Sequence, residues 1–448
     1  MKKVVIVPFN TDLNRGDQAL VWETARVIND VYKPEPIEIY VLESGNTQEE
    51  ILMQSHQTVR LGYKLCDPIL KHPGRYWSEE SKRRVSNGFI RLIKWGIVAG
   101  VDFLRSCLLL LRFPLMNWLG DLFFSSRAKE TIEILQEADS VFVKGGGFIH
   151  TYGKVTDAYQ MYYSTFSMLL ALRYDKPIFV MPNSIGPLKD TLSRIFIRKL
   201  LKQCNFISVR ERISYEFLTR QLRIPCFNSP DLGYYLERES AIDPNDYMKR
   251  SLSSGKQIVG LTLRPWRFPE SKDSEERYEN YILTFSEFIH YLNDKGYFVC
   301  LFVHTLGPSA HENDEIAIND VVAKLNGSND FEVIKDASLA CNDVMKLYSK
   351  CSYFIGTRFH SVIFSQNQNI PTIAISYGGN KGNGIMNDIG LSRFVLSIDS
   401  VSLEKLITLF EDLEKSSNSY RKSLESFRNE LLEKRVKLIR QIRTLLNT

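Results

Sequence analysis

The feature that most constrains the fold is the alternation of short apolar, β-branched segments with longer helical stretches. Continuous apolar strands separated by helices are typical of parallel sheets that are covered on both faces. We therefore predict an α/β protein built from two Rossmann-like, doubly wound domains that face a cleft. The predicted strands are VVIVPF (4–9), IEIYVL (37–42), SVFVKGG (140–146), PIFVMP (177–182), FISVR (206–210), PCFNSPD (225–231), QIVGLTLR (257–264), YFVCLFVH (297–304), FEVIKD (331–336), SYFIGTR (352–358) and PTIAISY (371–377).

The domain boundaries follow from a change in composition in the middle of the chain. A length of 448 residues fits two domains of ordinary size, and the polar interval 236–256 is the predicted linker. We expect an N-terminal domain over 1–240, a C-terminal domain over 255–400 and C-terminal helices over 401–448. Opposite charges at helical spacing in the last segment favour a solvated face, and packing back onto the first domain is the alternative.

An apolar and basic helical insertion is expected at about 83–125. Charges interrupt its apolar residues, so a membrane-spanning helix is not predicted. A buried helical pair or a contact between copies of the chain is the preferred interpretation. The alternative is an interfacial helix on anionic lipid, because cations alternate with aromatic and apolar residues. The residues concerned are Arg91, Lys94, Trp95, Asp102, Phe103, Arg105, Arg112, Trp118 and Asp121.

Charge and cysteine content exclude several classes of protein. The chain has 57 Lys and Arg against 52 Asp and Glu, and this mild surplus predicts no nucleic-acid partner. Seven cysteines without a C-x-x-C pair indicate neither a disulfide framework nor a zinc site, and they fit a reducing cytoplasm. The apolar run before Asn10 is too short for a signal peptide and is expected to be the first strand.

Polar residues directly after predicted strands are the candidate site, because ligands bind beyond the carboxyl ends of the strands in open parallel sheets. After the first strand, NTDLNRGDQAL brings Asn14, Gly16 and Asp17 to the start of a helix. Glycine admits a ligand close to the backbone, and helix N-terminal amides attract anions. Asp17 is expected to bond sugar hydroxyls or, alternatively, to cap the helix.

Three consecutive glycines follow the third strand. Such a run favours close approach of a glycosyl or phosphoryl ligand, and a tight turn is the alternative. Its spacing matches neither a Walker loop nor G-x-G-x-x-G. These glycines are Gly145, Gly146 and Gly147.

The next two strands also end in polar residues. Asn183 follows the fourth strand, and Arg210 and Arg212 follow the fifth. The two arginines are candidates to face an anion or, alternatively, to form ion pairs. Asp231, in the sequence SPD, is expected to cap a helix or to form a turn between the domains.

The second half of the chain carries cations at its strand ends. Arg264 follows the first strand of this half, and Arg358 and His360 follow the fourth. Two arginines that converge from strand ends of one sheet form a clamp suited to phosphate or carboxylate, and His360 is able to exchange a proton near neutral pH. Further cationic or proton-bearing groups on this edge are His304, Tyr377 and Lys381.

In combination, these motifs resemble the polysaccharide pyruvyl transferase family over about residues 4–392. The matching pieces are NRGDQAL, KGGG, PNSIGP, SVRERIS, SPD, Arg264, GTRFHSVIFS and IPTIAISY, then Lys381 followed by GIMNDIGL. The resemblance implies a fold similar to the GT-B glycosyltransferases. It also implies phosphoenolpyruvate as donor substrate, with no cofactor, and a pair of sugar hydroxyls as acceptor.

The resemblance implies that Arg264, Arg358 and His360 are the donor-site and catalytic residues. We expect His360 to protonate the donor and Asp17 to be the base or a sugar-binding partner. No metal is expected, because the arginines supply positive charge. The other expected donor contacts are Tyr377, Lys381 and His304, and the expected acceptor contacts are Asn14, Gly16, Asp17, Gly145, Gly146, Gly147 and Asn183.

The family further implies a lipid-linked repeat unit of a capsule or exopolysaccharide as acceptor, at the cytosolic face of the membrane. Contact with anionic lipid would then give the 83–124 segment a purpose, and a homo-oligomer seam is the alternative. Two other functions stay open, a GT-B glycosyltransferase that uses a nucleotide sugar and a non-catalytic polysaccharide-binding relative. The presence of a proton-bearing His360 beside an anion clamp argues against the second.

Overall fold

The structure is a computed structural model. It describes residues 1–45, 47–73, 89–111, 124–154, 156–269, 271–307, 312–325, 327, 330–377 and 381–446. Of 89–92 and Lys381 it describes the backbone. Residues 83–88 and 112–123 of the predicted insertion lie outside this description.

The elements alternate between strand and helix along most of the chain. The strands are β1 (Lys2–Asn10), β2 (Ile37–Glu43), β3 (Lys64–Cys66), β4 (Ser140–Val143), β5 (Gly146–Thr151), β6 (Ile178–Leu188), β7 (Phe206–Val209), β8 (Phe227–Asn228), β9 (Ile258–Thr262), β10 (Phe298–Phe302), β11 (Phe331–Ile334), β12 (Tyr353–Gly356), β13 (Thr372–Ser376) and β14 (Val395–Ser397). The helices are α1 (Arg15–Tyr32), α2 (Gln48–Arg60), α3 (Phe89–Leu110), α4 (Ser126–Glu137), α5 (Asp157–Arg173), α6 (Thr191–Leu201), α7 (Arg212–Glu216), α8 (Lys249–Ser253), α9 (Ser274–Asp294), α10 (Asp314–Val322), α11 (Cys341–Tyr348), α12 (Phe359–Asn367), α13 (Lys381–Asp388) and α14 (Leu403–Leu446).

The strands form two parallel sheets. The first has the order β3-β2-β1-β4-β6-β7-β8, with β5 paired to β6, and the second has the order β11-β10-β9-β12-β13-β14. The strand order reverses between β1 and β4 in the first sheet and between β9 and β12 in the second. Such a reversal is typical of Rossmann folds. The predicted α/β architecture of two doubly wound units is therefore confirmed.

Apolar side chains cover both faces of each sheet, which explains why the strands are continuous apolar runs. All five residues of β9 are buried, and so are all five of β10. The core on one face of the first sheet continues into the second domain through α1 and the 3-10 helix Leu232–Tyr235. Burial of this shared core holds the two sheets together and fixes how their edges meet.

Three strands were not predicted from the sequence. β3 and β14 have three residues each, too few for a clear periodicity. The third is β5, which begins at Gly146, within the glycine run, and pairs with β6. The backbone therefore turns at Lys144 and Gly145 and resumes as a strand, because β6 is long enough to pair with both β4 and β5.

The C-terminal segment forms one continuous helix, α14, where several helices were predicted. Eight of its side chains are buried along one stripe, and the charged residues form the outer face. Near its end, Arg443 Nε donates to Val31 O at 3.1 Å, and Arg435 Nη1 lies 2.8 Å from Asp30 Oδ2. The helix thus packs back onto the first domain, as in the alternative interpretation of its charge pattern.

The described part of the insertion is the helix α3, which packs against α5. Ser106 Oγ lies 2.6 Å from Tyr162 OH at this contact. Among the helices that the structure describes, none is both long and apolar enough to cross a membrane.

Candidate functional site

The carboxyl ends of the two sheets meet at the start of α1. Leu306 N donates to Leu13 O at 2.8 Å, and Asn14 and Thr305 form an antiparallel bridge. The loop after β1 and the loop after β10 are therefore joined by backbone hydrogen bonds. This junction forms the floor of a cleft whose two walls are the strand ends of the two domains.

His360 lies where the first turns of two helices meet. It is the second residue of α12, and its imidazole packs against Gly16 in the first turn of α1. A Cβ atom built on Gly16 would stand 2.0 Å from Nδ1 of His360. Since no side chain fits at this distance, glycine is required at position 16 for the histidine to occupy its place.

A buried carboxylate lies on the other side of the His360 ring. Oδ1 of Asp231 is 3.8 Å from Nε2 of His360 and accepts a hydrogen bond from Gly233 N at 2.8 Å. The second oxygen of Asp231 accepts from Arg210 Nη1 at 2.5 Å. The histidine from the second domain is thus placed between a glycine and an aspartate of the first.

Arg358 is anchored by an acidic partner of its own domain. Its Nε donates to Asp314 Oδ1 at 2.7 Å, and its Nη2 donates to the backbone oxygen of Glu312 at 2.9 Å. Burial opposes the charge of Arg358, but Asp314, Tyr377 and Glu312 together outweigh it, and the pKa of the guanidinium is raised. Arg358 is therefore a charged and positioned group at the end of β12.

Arg264 has no such anchor. Its guanidinium carbon lies 3.8 Å from the ring centre of Tyr377 and 4.8 Å from that of Trp266, and the residue is 9% exposed. Within the described residues it forms no salt bridge, its Nε has no hydrogen-bond partner, and burial lowers the pKa of the group. A buried cation that is held by aromatic faces is stabilised when an anion binds beside it.

The two arginines lie on neighbouring strands. Gly356 of β12 pairs with Thr262 of β9, and Arg358 and Arg264 each follow two residues further on. Neighbouring strands are about 4.8 Å apart, so both guanidinium groups start from the same edge, at the point where the strand order reverses. This arrangement fits an anion with two negatively charged groups.

Asp17 is held at the corresponding point of the first sheet. Its Oδ1 lies 2.9 Å from Nζ of Lys144, the residue directly after β4, and its Oδ2 accepts from Asn14 Nδ2 at 2.9 Å. Asn14, rather than Asp17, caps α1, because its Oδ1 accepts from the backbone amides of Gly16 and Asp17. The Asp17 side chain remains one third exposed although it is paired with the ammonium group of Lys144.

The glycine run serves mainly to bring protein segments together. A Cβ on Gly145 would lie 3.0 Å from Pro182 O, so the close neighbour of this glycine is β6. Asn183 donates from Nδ2 to Lys144 O at 2.9 Å, which ties the turn to the same strand. Gly147 is exposed to solvent and leaves its backbone accessible from the cleft.

The remaining predicted residues lie elsewhere. The His304 ring is buried in the second domain, where Nδ1 is 3.0 Å from Tyr348 OH, while the side chain of Lys381, the first residue of α13, lies outside the described residues. Arg210 and Arg212 form ion pairs, with Asp231 and Glu216 respectively. The ion-pair alternative is therefore right for these two arginines.

Three side chains that complete the site were not assigned a role from the sequence. Lys144 was quoted only as part of its glycine motif, Asp231 only as a cap or turn, and Asp314 not at all. An acidic residue in the first turn of a helix, such as Asp314 in α10, is ordinary in sequence. Its contact with Arg358 depends on the packing of two loops and leaves no local signal.

No group of three or more His, Cys, Asp or Glu side chains that could hold a metal ion occurs among the described residues. The positive charge of the cleft comes from its arginines and lysine.

Comparison with known proteins places the chain in a family. The family model for polysaccharide pyruvyl transferase matches residues 14–379. The amylovoran biosynthesis protein AmsJ of Erwinia amylovora is 25% identical over 282 residues, which cover 60% of this chain and 63% of that protein.

Solved structures resemble the fold at low identity. MnaA of S. aureus, solved with UDP, has a TM-score of 0.57 at 11% identity and covers 95% of this chain and 91% of its own. The UDP-GlcNAc 2-epimerase of Neisseria meningitidis has a TM-score of 0.55 at 12% identity, and the match covers 98% of this chain and 100% of the epimerase chain. UGT2 of Phytolacca americana has a TM-score of 0.52 at 9% identity, with 100% of each chain covered.

These likenesses confirm a fold similar to the GT-B glycosyltransferases and epimerases. The family match spans the junction at α1, the ion pair of Asp17 and Lys144, and the two arginines of the second domain. The chain therefore belongs to the polysaccharide pyruvyl transferase family.

Proposed function

We propose that the protein transfers the enolpyruvyl group of phosphoenolpyruvate to two hydroxyls of one sugar, forming a pyruvate ketal. The acceptor is a polysaccharide of the cell surface or its lipid-linked precursor, handled at the cytoplasmic face of the membrane. The family membership supports a transferase that acts on polysaccharide. The donor, the ketal product and the lipid-linked acceptor go beyond it.

The observation that carries the donor assignment is the state of Arg264. This buried guanidinium is held by Tyr377 and forms no ion pair with any carboxylate in the described part of the chain, whereas the neighbouring Arg358 is anchored on Asp314. Phosphoenolpyruvate carries a carboxylate and a phosphate on adjacent atoms, which matches two cationic groups on neighbouring strands. Its binding would supply the counter-charge that Arg264 lacks.

In the proposed reaction His360 is the acid. It protonates the methylene carbon of phosphoenolpyruvate, which becomes a methyl group and leaves the adjacent carbon electrophilic. One sugar hydroxyl adds to that carbon and gives its proton to a base. The second hydroxyl then displaces phosphate, whose charge Arg264 and Arg358 stabilise as the bond breaks, and its own proton leaves with the phosphate.

Asp17 is the proposed base or sugar-binding group. It belongs to the first domain, in the first turn of the helix that meets His360, and its carboxylate forms an ion pair with Lys144. A carboxylate that is partly exposed at the cleft is able to accept a hydroxyl proton or to bond the sugar. The acceptor then lies between the first domain and the donor.

The test of the donor is a thermal-shift titration with phosphoenolpyruvate, UDP-sugars and GDP-sugars. The variant is Arg264→Ala, which breaks no ion pair among the described residues, and the matched control is Arg277→Ala on the exposed surface of α9. Phosphoenolpyruvate should stabilise the wild type and the control by about 2.7 kcal/mol at a hundredfold excess over Kd. The stabilisation should vanish in Arg264→Ala.

Stabilisation by a nucleotide sugar alone would contradict the proposal and assign the protein to glycosyl transfer. The acid is tested separately with His360→Ala. This variant should lose turnover, measured as phosphate release with an acceptor, while phosphoenolpyruvate still stabilises it. Full activity in His360→Ala would exclude the acid role of this residue.

A further inference from the structure

The helix α3 exposes several aliphatic side chains to solvent and buries two polar ones against the protein. Four aliphatic side chains, exposed by 48 to 68%, lie on its outer surface. At about 100° per residue they fall within about 80° of the helix circumference, so they form a continuous band. This apolar stripe consists of Ile93, Ile97, Val101 and Leu104.

The opposite side of the helix buries Asp102 and Ser106 beside Leu109. Asp102 is 1% exposed and pairs with Arg105 Nη2 at 3.0 Å, and Ser106 is fully buried against Tyr162 OH at 2.6 Å. A helix on the surface of a globular protein normally turns its apolar side inward and its charges outward. Because α3 exposes an aliphatic stripe and buries the carboxylate of Asp102, its outer side is suited to an apolar environment.

The charge of the segment identifies that environment. Residues 82–112 contain seven Lys and Arg and a single acidic residue, Asp102, which pairs with Arg105. Lys94 is exposed beside the stripe. Anionic headgroups attract such a basic segment while the apolar side chains enter the acyl boundary. A second copy of the chain would bring two basic segments together, which like-charge repulsion disfavours.

The position of α3 relates the stripe to the cleft. Trp95 lies edge-on to His72 at 5.2 Å, His72 lies edge-on to Tyr163 at 6.3 Å, and Tyr163 stacks on Phe9 at 4.7 Å. Phe9 belongs to the end of β1, and the loop after this strand leads to Asp17 in the first turn of α1. A chain of ring contacts thus joins α3 to the acceptor half of the site.

We propose that α3 docks this face of the first domain onto an anionic lipid surface, with its apolar stripe inserted and its cations at the headgroups. The helix lies in the interface and does not cross it. The exposed apolar stripe and the basic charge of the segment carry this inference, so it does not depend on the identity of the donor substrate. A lipid-linked acceptor would give the contact its purpose, because it would bring the cleft to the membrane.

The test is flotation of the full-length protein with vesicles of phosphatidylcholine alone or with an equal part of phosphatidylglycerol. The variant is Ile97→Gln with Leu104→Gln, and the matched control is Leu192→Gln with Ile195→Gln, two exposed apolar residues of α6. The wild type and the control should float with the anionic vesicles, and more weakly as salt rises. The α3 variant should bind at least about tenfold more weakly.

Failure of the wild type to float with anionic vesicles, or equal binding by the α3 variant, would overturn the proposal. Light scattering after size exclusion provides a second measurement. A dimer that the α3 variant dissociates would assign the stripe to a second copy and would likewise overturn it. Because the stripe lies outside the cleft, stabilisation by phosphoenolpyruvate should be the same in all three proteins, so the two proposals fail separately.

Discussion

Gly16 lies so close to His360 that a single methyl group on it would stand 2.0 Å from Nδ1 of the imidazole. The two residues come from different domains, one from the first turn of α1 and the other from the first turn of α12. The proposed acid is therefore seated on the backbone of the domain that carries the proposed acceptor site. A side chain at position 16 would move the imidazole away from α1 and from the proposed acceptor site.

The first prediction concerns the variant Gly16→Ala. The added methyl group should displace His360 and lower turnover about 100-fold, since small misplacements of catalytic groups have effects of this size. The free energy of unfolding should fall by about 1–3 kcal/mol. Gly100→Ala, where a Cβ meets open space in α3, is the control and should keep full activity. Unchanged turnover in Gly16→Ala would mean that the position of His360 does not matter for the reaction.

The second prediction concerns the buried pair of Asp231 and Arg210. Asp231→Asn keeps the size of the side chain but removes the negative charge 2.5 Å from Arg210. Because the fully buried guanidinium loses its nearer carboxylate and keeps that of Glu211 at 3.9 Å from Nε, urea denaturation should reveal a loss of up to about 3–5 kcal/mol. Glu216→Gln, which breaks the exposed pair with Arg212, should cost at most about 1 kcal/mol. Equal losses in the two variants would mean that the buried pair of Asp231 and Arg210 stabilises the protein no more than the exposed pair does.

The sequence was sufficient to predict that the two arginines lie at strand ends, but not the contacts that hold the neighbouring site residues in place. Arg264 and Arg358 were predictable because apolar strand runs end just before them, and parallel strands bring their ends to one edge. The contacts of His360 with Asp231 and of Asp17 with Lys144 join segments that are far apart in the chain. Such pairs depend on loop packing, for which a single sequence carries no periodic signal.

The same limit explains the placement of His304. A residue beyond a strand end is at the correct edge, but its side chain points to the cleft or to the core according to the last backbone angles. The ring of His304 turns into the core beside Tyr348. The direction of a side chain after a strand therefore requires the structure, whereas its position along the sheet does not.

The third prediction concerns the attachment of α14 to the first domain. Leu438 is fully buried between Arg435 and Arg443, whose guanidinium groups hold the end of α1. Leu438→Ala should lower the free energy of unfolding by about 2–5 kcal/mol. On the same helix Leu432 is 72% exposed, and Leu432→Ala should change it by less than about 0.5 kcal/mol. If both variants unfold at the same urea concentration as the wild type, α14 does not stabilise the first domain.

The last prediction concerns Glu43, a fully buried carboxyl group at the end of β2. Asn10 Nδ2 donates to its Oε1 at 3.1 Å, and Ser55 bonds its other oxygen. Burial raises the pKa of Glu43 to about 8, from 4.5 in the unfolded chain. Between these two values the folded protein holds a proton that the unfolded chain has released, so stability should fall as the pH rises, by about 1.4 kcal/mol per pH unit.

The variant Glu43→Gln removes this titration and keeps the shape of the side chain. Between pH 5 and pH 8 the wild type should lose about 3–4 kcal/mol relative to the variant, measured by urea denaturation at both pH values. The exposed Glu49→Gln on α2 is the control and should follow the wild type. A difference between wild type and Glu43→Gln that stays constant with pH would mean that Glu43 is ionised in the folded protein. Its two hydrogen-bond donors, and not burial, would then determine its protonation.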